Sequence, residues 1–423
     1  MTGALILIGL VALLLFLRQP LLVILLAAAA AVHLVWGKGQ LDYIIEDMWV
    51  SLDKELILSI PMFILCGGVM TKGSTSRRLI AIASALTCRL PGGMAVACVL
   101  SCGIFAAISG SSIVTMLAIG SVMYPAMRRS GYTNRYSLGV VMAGGTLGII
   151  IPPSIPLILY GLVTETSITD LFVAGVGPGL LLLLVFSLHA MWVNRHVPTL
   201  AFDWAALGRA LREGIWALLM PVILLGGIYS GYFSAIEAAA VGLVYALIVE
   251  TLVHREMKLR DFFDVVLDAS KLGGTLFPLL AVALSLNLVL TEHRVPTTMV
   301  ALMQGWIDSP LLFMLLVNAL LLLVGCLMTS GEAILILGPI LAPLAAAYGF
   351  DKVLFGIIMI VNLEIGFLTP PVGLNLLVAM STFKQKFGEL VLAAGPFIVL
   401  MLGCLALVSW QPWIAMYLVT GKF

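Results

Sequence analysis

The chain has 423 residues, of which 62% are hydrophobic and 10% charged, with a formal net charge of +1. Ordinary soluble domains carry roughly 25% charged residues, so a soluble enzyme is excluded, and near-neutrality leaves no basic face for nucleic acid. Apolar runs that can cross about 30 Å of hydrocarbon, which takes about 20 helical residues, read instead as membrane spans.

In chain order, spans are expected near 3–17, 20–37, 55–71, 137–163, 171–193, 215–232, 235–253, 272–290, 353–380 and 389–412. The first stretch has no basic n-region and runs into a second apolar segment, so it reads as a span and not a cleaved signal. Two further apolar stretches, about 92–126 and 310–345, are interrupted in mid-run by Gly, Ser and Thr. Each fits a re-entrant helical hairpin, because irregular backbone at membrane depth needs protein or a watery cavity around it. The fold class is therefore an all-α polytopic membrane protein.

Lys and Arg set the orientation. With an external N-terminus and two re-entrant stretches, 17 of the 22 basic residues fall inside and 5 (Lys38, Lys54, Arg294, Lys352, Lys422) outside. Both termini are then periplasmic, and the two hairpins open to opposite faces.

One constant shift along the chain superimposes the two interrupted regions without a gap. Gly120 falls on Gly338, Pro125 on Pro343, Gly131 on Gly349, Gly148 on Gly366, and Pro152-Pro153 on Pro370-Pro371. Copies that enter from opposite faces form an inverted-topology repeat, an architecture of alternating-access carriers. The layout divides into scaffold spans (1–54), a first transport repeat (55–170), central scaffold spans (171–270), a second transport repeat (271–385) and a C-terminal span (386–423). A hairpin arm and a broken helix, twice, against a static frame suggest an elevator-type transporter.

The first hairpin tip reads Ser109-Gly110-Ser111-Ser112, and its partner in the second copy is Thr329-Ser330-Gly331. Glycine frees the backbone from helical geometry, and hydroxyls beside unpaired carbonyls suit a hard cation or a carboxylate. The paired prolines cannot continue a helix, so Pro152 and Pro370 mark two discontinuous helices. Thr146 and Ser154 flank the first break, and Asn362, Thr369 and Asn375 the second.

Three carboxylates fall within or near membrane depth, where such groups are costly. Glu237 opens a span and reads as its cap, Glu332 sits on the second tip, and Glu364 is either a cation ligand or a buried hydrogen-bonded acid. The six cysteines lack a CxxC pair and read as small buried hydrophobes. The five histidines have no metal-ligand spacing, so no transition-metal site is expected. No phosphate loop and no nucleophile–base signature is present, so neither an enzyme nor a cofactor is expected.

The segments PMFILCGGVM, FAAISGSS, GTLGIIIPPSIPLILYG, EAAAVGLVYAL and NLEIGFLTPPVGLNL, in that order, resemble the large membrane subunit of tripartite ATP-independent periplasmic (TRAP) transporters. The resemblance spans nearly the whole chain. It implies a sodium-coupled importer of small organic acids in a bacterial inner membrane. Its implied partners are a smaller membrane subunit on a separate chain, a periplasmic substrate-binding protein and the surrounding lipid. Carried over, Na⁺ would bind at Ser109, Gly110, Ser111, Ser112, Thr146 and Pro152, and at Thr329, Ser330, Gly331, Asn362, Thr369 and Pro370. Substrate would bind between the tips at Ser109, Ser111, Ser154, Thr329, Ser330 and Asn375. The chain departs from the family pattern at Thr329, where an acidic residue is common, and at SAIEAAA, where TPTEAAA is usual. The alternative is a stand-alone inverted-repeat carrier that needs no binding protein.

Overall fold

The computed structural model describes residues 9, 10, 13, 14, 16, 17, 19–35 and 42–421. Most of the expected span at 3–17 lies outside them, as do Arg18, Lys38 and Lys422. Every regular element among the described residues is helical.

The chain opens with α1 (Leu21–Val35) and α2 (Asp42–Leu52), and a short helical turn leads into α3 (Ser59–Lys72) and α4 (Thr75–Thr87). The first copy continues as α5 (Gly93–Ser109), α6 (Ser112–Arg129), α7 (Asn134–Ile150) and α8 (Ile155–Thr164). Between the copies lie α9 (Ile168–Val193), α10 (Trp204–Tyr229) and α11 (Ala235–Ile248). Next come α12 (Leu259–Glu292) and α13 (Val295–Gln304), and the second copy is α14 (Pro310–Gly325), α15 (Ser330–Ala347), α16 (Lys352–Phe367) and α17 (Leu374–Phe383). The chain closes with α18 (Phe387–Trp410) and α19 (Trp413–Thr420).

Eight helical stretches among the described residues are long and apolar enough to cross a membrane. The broken pair α7–α8 is 89% buried in its most apolar window, against 28% for α10, so the first break is central and α10 lies at the rim. Two differences from the sequence reading concern amphipathic segments. The stretch before residue 272, which lies between the spans expected at 235–253 and 272–290, is the first third of a 34-residue helix. Its start is fixed where the Lys258 N–H donates to the Asp261 carboxylate at 3.0 Å. Helix α4 is not among the expected elements, because Ser76, Arg77 and Arg78 interrupt its apolar run. It buries Leu79, Ile80, Ile82 and Ala83 on one side, and half of a helix surface is enough to hold it in a packed bundle.

The internal repeat extends to element boundaries. Helices α6 and α15 start at Ser112 and Ser330 and end at Arg129 and Ala347, and α7 and α16 start at Asn134 and Lys352. Gly131 and Gly349, with φ of +88° and +86°, take the same left-handed turn ahead of them. All of these pairs keep the register that places Gly120 on Gly338. Both Pro-Pro peptides are cis. The copies diverge most at one end: α14 stops at Gly325, two residues earlier than the register of α5 requires.

The two copies interlock. Helix α8 of the first packs against α15 of the second, while α9 touches α5, α7 and α16. Helix α12 lies along α1, α2 and α3 and also meets α15, so it borders the repeat core on one side.

Candidate transport site

The first tip is a two-residue interruption between α5 and α6. Gly110 ends α5 with φ +59°, a conformation that costs an L side chain energy and glycine nothing. Space matters too, since a Cβ there would stand 3.0 Å from the Pro153 carbonyl oxygen. The Ser109 and Thr115 hydroxyls are 2.6 Å apart and tie the two sides of the tip together. Helix α6 then starts with no side-chain cap at Ser111 and no acidic residue in its first turn, so its free N–H groups and positive dipole end remain available.

The second tip is built differently. Thr329 caps α15 by accepting from the Glu332 N–H at 3.3 Å, and the Glu332 carboxylate accepts from the Thr329 N–H at 2.9 Å. This reciprocal capping box already places a negative charge on the helix start. Glu237 makes the same arrangement with Ser234 on α11, as its position at the head of a span implies.

Each tip docks on the break of its own copy. The Ile155 N–H donates to the Gly110 carbonyl at 3.4 Å, and the Gly373 N–H to the Cys326 carbonyl at 3.1 Å. The donors Ile155 and Gly373 are themselves partners in the repeat register. Close approach is what Gly148 and Gly366 provide: a Cβ at Gly148 would meet the Ser111 carbonyl oxygen at 2.4 Å, and one at Gly366 the Gly325 carbonyl carbon at 2.3 Å.

Both tips line one cavity of about 240 Å³. Gly110, Ser111 and Ser112 contribute from the first copy and Thr329, Ser330, Gly331 and Glu332 from the second. Apolar residues of α12, Leu272, Leu276 and Leu279, form its third side. A neighbouring cavity of about 350 Å³ shares Ser111, Ile155 and Leu272 with it and is also lined by Ser109, Lys72 and Asp268.

The remaining candidates lie off the cavity. Ser154 is fully buried, donates to the Ile149 carbonyl at 2.6 Å and caps α8 by accepting from the Leu157 N–H at 3.4 Å. Thr146 is also buried and donates to the Ala143 carbonyl at 2.6 Å. Thr369 donates to the Ile365 carbonyl at 2.8 Å. Pro152 is buried, whereas Pro370 is exposed. Asn362 donates to the Asn318 side-chain oxygen at 2.5 Å, and Asn375 to the Ser112 hydroxyl at 2.7 Å.

Three contributors were absent from the sequence reading. Thr115 braces the first tip, and its only signal was a hydroxyl one turn into α6. Asn318, a lone amide in the run LLVNALLLL, partners Asn362. Glu250 is fully buried near the end of a span, and its carboxylate accepts from the backbone N–H groups of Ser74 and Thr75 at 3.1 and 3.2 Å. It thereby caps α4, and only a lone acid in VYALIVETLV hinted at it.

Apolar helices long enough to span a bilayer, broken twice around a shared polar-tipped cavity, define a multi-pass membrane transporter. Comparisons with known proteins narrow that class. The chain matches the family "Tripartite ATP-independent periplasmic transporter, DctM component" over residues 8–414 and belongs to it. It is 40% identical over 397 residues to the C4-dicarboxylate TRAP transporter large permease protein DctM of Pseudomonas aeruginosa, covering 92% of each chain. It is 39% identical over 421 residues to the isethionate TRAP transporter permease protein DctMQ of Oleidesulfovibrio alaskensis, covering 97% of this chain and 66% of that one. The fold is shared with the YdaH transporter of Alcanivorax borkumensis, at a TM-score of 0.62 and 16% identity, over 96% of this chain and 98% of that one. These relatives are permeases, and the chain is accordingly a transporter component and not an enzyme.

Proposed function

We propose that this chain is the translocating subunit of a sodium-coupled carrier that imports a small organic acid across a bacterial inner membrane. The observation that carries this reading is the meeting of both broken tips, one from each copy, over a single cavity. A carboxylate would rest on the start of α6 at Ser111 and Ser112, which no side chain caps. The start of α15 already carries Glu332, so the second tip is better suited to a cation than to a second anion. Na⁺ binding at the tips would order them, and coupling would arise because the ordered state binds substrate more tightly.

Substrate class is supported by the relatives, whose names specify C4-dicarboxylate and isethionate, both small organic anions. The name DctMQ, on a protein of which this chain covers 66%, supports a second membrane component as partner. The family description supports a periplasmic binding protein that delivers the solute.

In the orientation set by the charge bias, Lys72 faces the cytoplasm. The cavities that run from the tips to Lys72 and Asp268 would then form an inward-open path. Movement of the repeat core along α12 would be the elevator step, with α12 on the static side.

The test is replacement of Ser111 or Ser112 by Leu, followed by uptake in vesicles that contain the chain with its cognate small subunit and binding protein. Sodium-driven uptake should fall to background while membrane insertion stays intact. Normal uptake in both variants removes the tips from the transport path.

A further inference from the structure

Beyond the tips, one buried cluster lacks what its chemistry calls for. Glu364 on α16 and Asn375 on α17 are both 0% exposed, and Ser112 at the start of α6 is 2% exposed. The Asn375 amide donates to the Ser112 hydroxyl at 2.7 Å, and that hydroxyl is also the polar neighbour of the Glu364 carboxyl. Both Glu364 carboxyl oxygens and the Asn375 side-chain oxygen have no hydrogen-bond partner among the described residues. Nor does Glu364 belong to any ion pair among the described residues. A buried carboxylate that nothing pairs is strongly disfavoured, so an ionised Glu364 would call for a bound positive charge beside these unpaired oxygens.

We infer that Ser112, Glu364 and Asn375 hold a monovalent cation in a site of its own, which bridges the first tip to the broken helix of the second copy. The donor set is all oxygen, which excludes metals that select nitrogen or sulfur. A single carboxylate neutralises one positive charge, so a divalent ion would leave a net charge buried. Na⁺ is the ion that fits a hard, singly charged set of this kind.

The repeat gives the site a count. The register partners of Ser112, Glu364 and Asn375 in the opposite copy are Ser330, Thr146 and Leu157. The mirror cluster thus has two hydroxyls but no carboxylate and no amide. The site exists once per chain and binds one ion. Because its ligands come from both copies, the ion would be held only while the first tip sits on the second broken helix. That dependence on conformation is the property a coupling ion requires.

The inference rests on the ion-coupled reading above, and it can fail separately from it. The experiment is a Na⁺ titration of the purified full chain at constant ionic strength, with choline as the replacement and thermal unfolding as the readout. The proteins are the wild type, Glu364→Gln, Asn375→Asp and the double variant Glu364→Gln/Asn375→Asp. Glu364→Gln should raise the half-saturating Na⁺ concentration at least roughly tenfold. The double variant, which returns one carboxylate to the cluster, should recover most of that loss. A Glu364→Gln protein that titrates like the wild type overturns the inference, whether the acid then holds a proton or is simply buried. If Glu364→Gln does not fold, Asn375→Asp alone decides: a second carboxylate should tighten Na⁺ binding, and an unchanged titration overturns the site. A wild type that responds to Na⁺ beside a Glu364→Gln protein with the same response defeats only this site. A wild type with no Na⁺ response defeats sodium coupling as well.

Discussion

Substituting Gly148 by Ala tests the docking of the first tip directly. Gly148 stands four residues ahead of Pro152, where α7 passes under the tip. An added Cβ would lie 2.4 Å from the Ser111 carbonyl oxygen and 2.6 Å from the Thr115 hydroxyl, while real Cβ contacts essentially never fall below 3.0 Å. The carbonyl must therefore retreat by about 0.6 Å or more, although the Thr115 N–H holds it at 3.1 Å. Overpacking of this kind costs about 1–3 kcal/mol. The useful control is Gly403→Ala on α18, where an added Cβ meets nothing within 4 Å. There only the helix preference of Ala over Gly operates, a gain of about 0.5–1 kcal/mol. Since both variants share that gain, the stability gap between them isolates the tip clash at about 1–3 kcal/mol. Denaturant unfolding in the same detergent reads the gap. Expressed as a shift in tip position, the same energy lowers sodium-driven uptake by about 5–150-fold. If Gly148→Ala and Gly403→Ala agree within about 0.5 kcal/mol and transport equally, the tip does not depend on this approach.

Two further outcomes follow from the capping groups. Thr329→Ala removes the acceptor for the Glu332 N–H at 3.3 Å and should destabilise the second tip by about 0.5–2 kcal/mol. Its effect should appear in unfolding measurements and in Na⁺ response together, and an unchanged unfolding profile would show that the cap is dispensable. Glu250→Ala strips the buried N–H groups of Ser74 and Thr75 of their acceptor and should cost at least about 1–3 kcal/mol. Expression yield and unfolding midpoint report this loss; a wild-type midpoint would mean that those donors find another acceptor.

How far the sequence could be read depended on the kind of signal each element carries. Proline and glycine act on the backbone of their own residue, so the breaks at Pro152 and Pro370 and the matching turns at Gly131 and Gly349 are visible from the residues alone. The tips are visible for the same reason, as polar residues set in apolar runs. What stayed hidden depends on distant neighbours. Asn375 stands beside a proline pair in sequence, and its hydrogen bond to Ser112, 263 residues away, is invisible there. Ser154 flanks the first break in sequence, and its capping of its own helix from a buried position is a contact the sequence does not show. Helix α4 was hidden because its packing against α10 and α5, and not hydropathy, gives its apolar side a partner.

The two copies share their punctuation and differ in their chemistry, and the difference points to a division of labour. Glycine and proline fix where each helix stops and how closely each tip lies on its break, so changes there would spoil the fold in either copy. Polar positions around that frame are free to diverge: Thr146 faces Glu364 in register, Leu157 faces Asn375, and uncapped Ser111 faces capped Thr329. A symmetrical pair of sites would offer the same affinity twice. In the reading proposed above, the first tip would present its uncapped helix start to an anion while the second copy would supply the acidic and amide oxygens for a cation. Ser112 sits on the line between them, in the wall of the shared cavity and in hydrogen-bond contact with Asn375. One hydroxyl placed between the proposed anion-binding helix start and the proposed cation cluster would give the two occupancies a direct physical means of influencing each other.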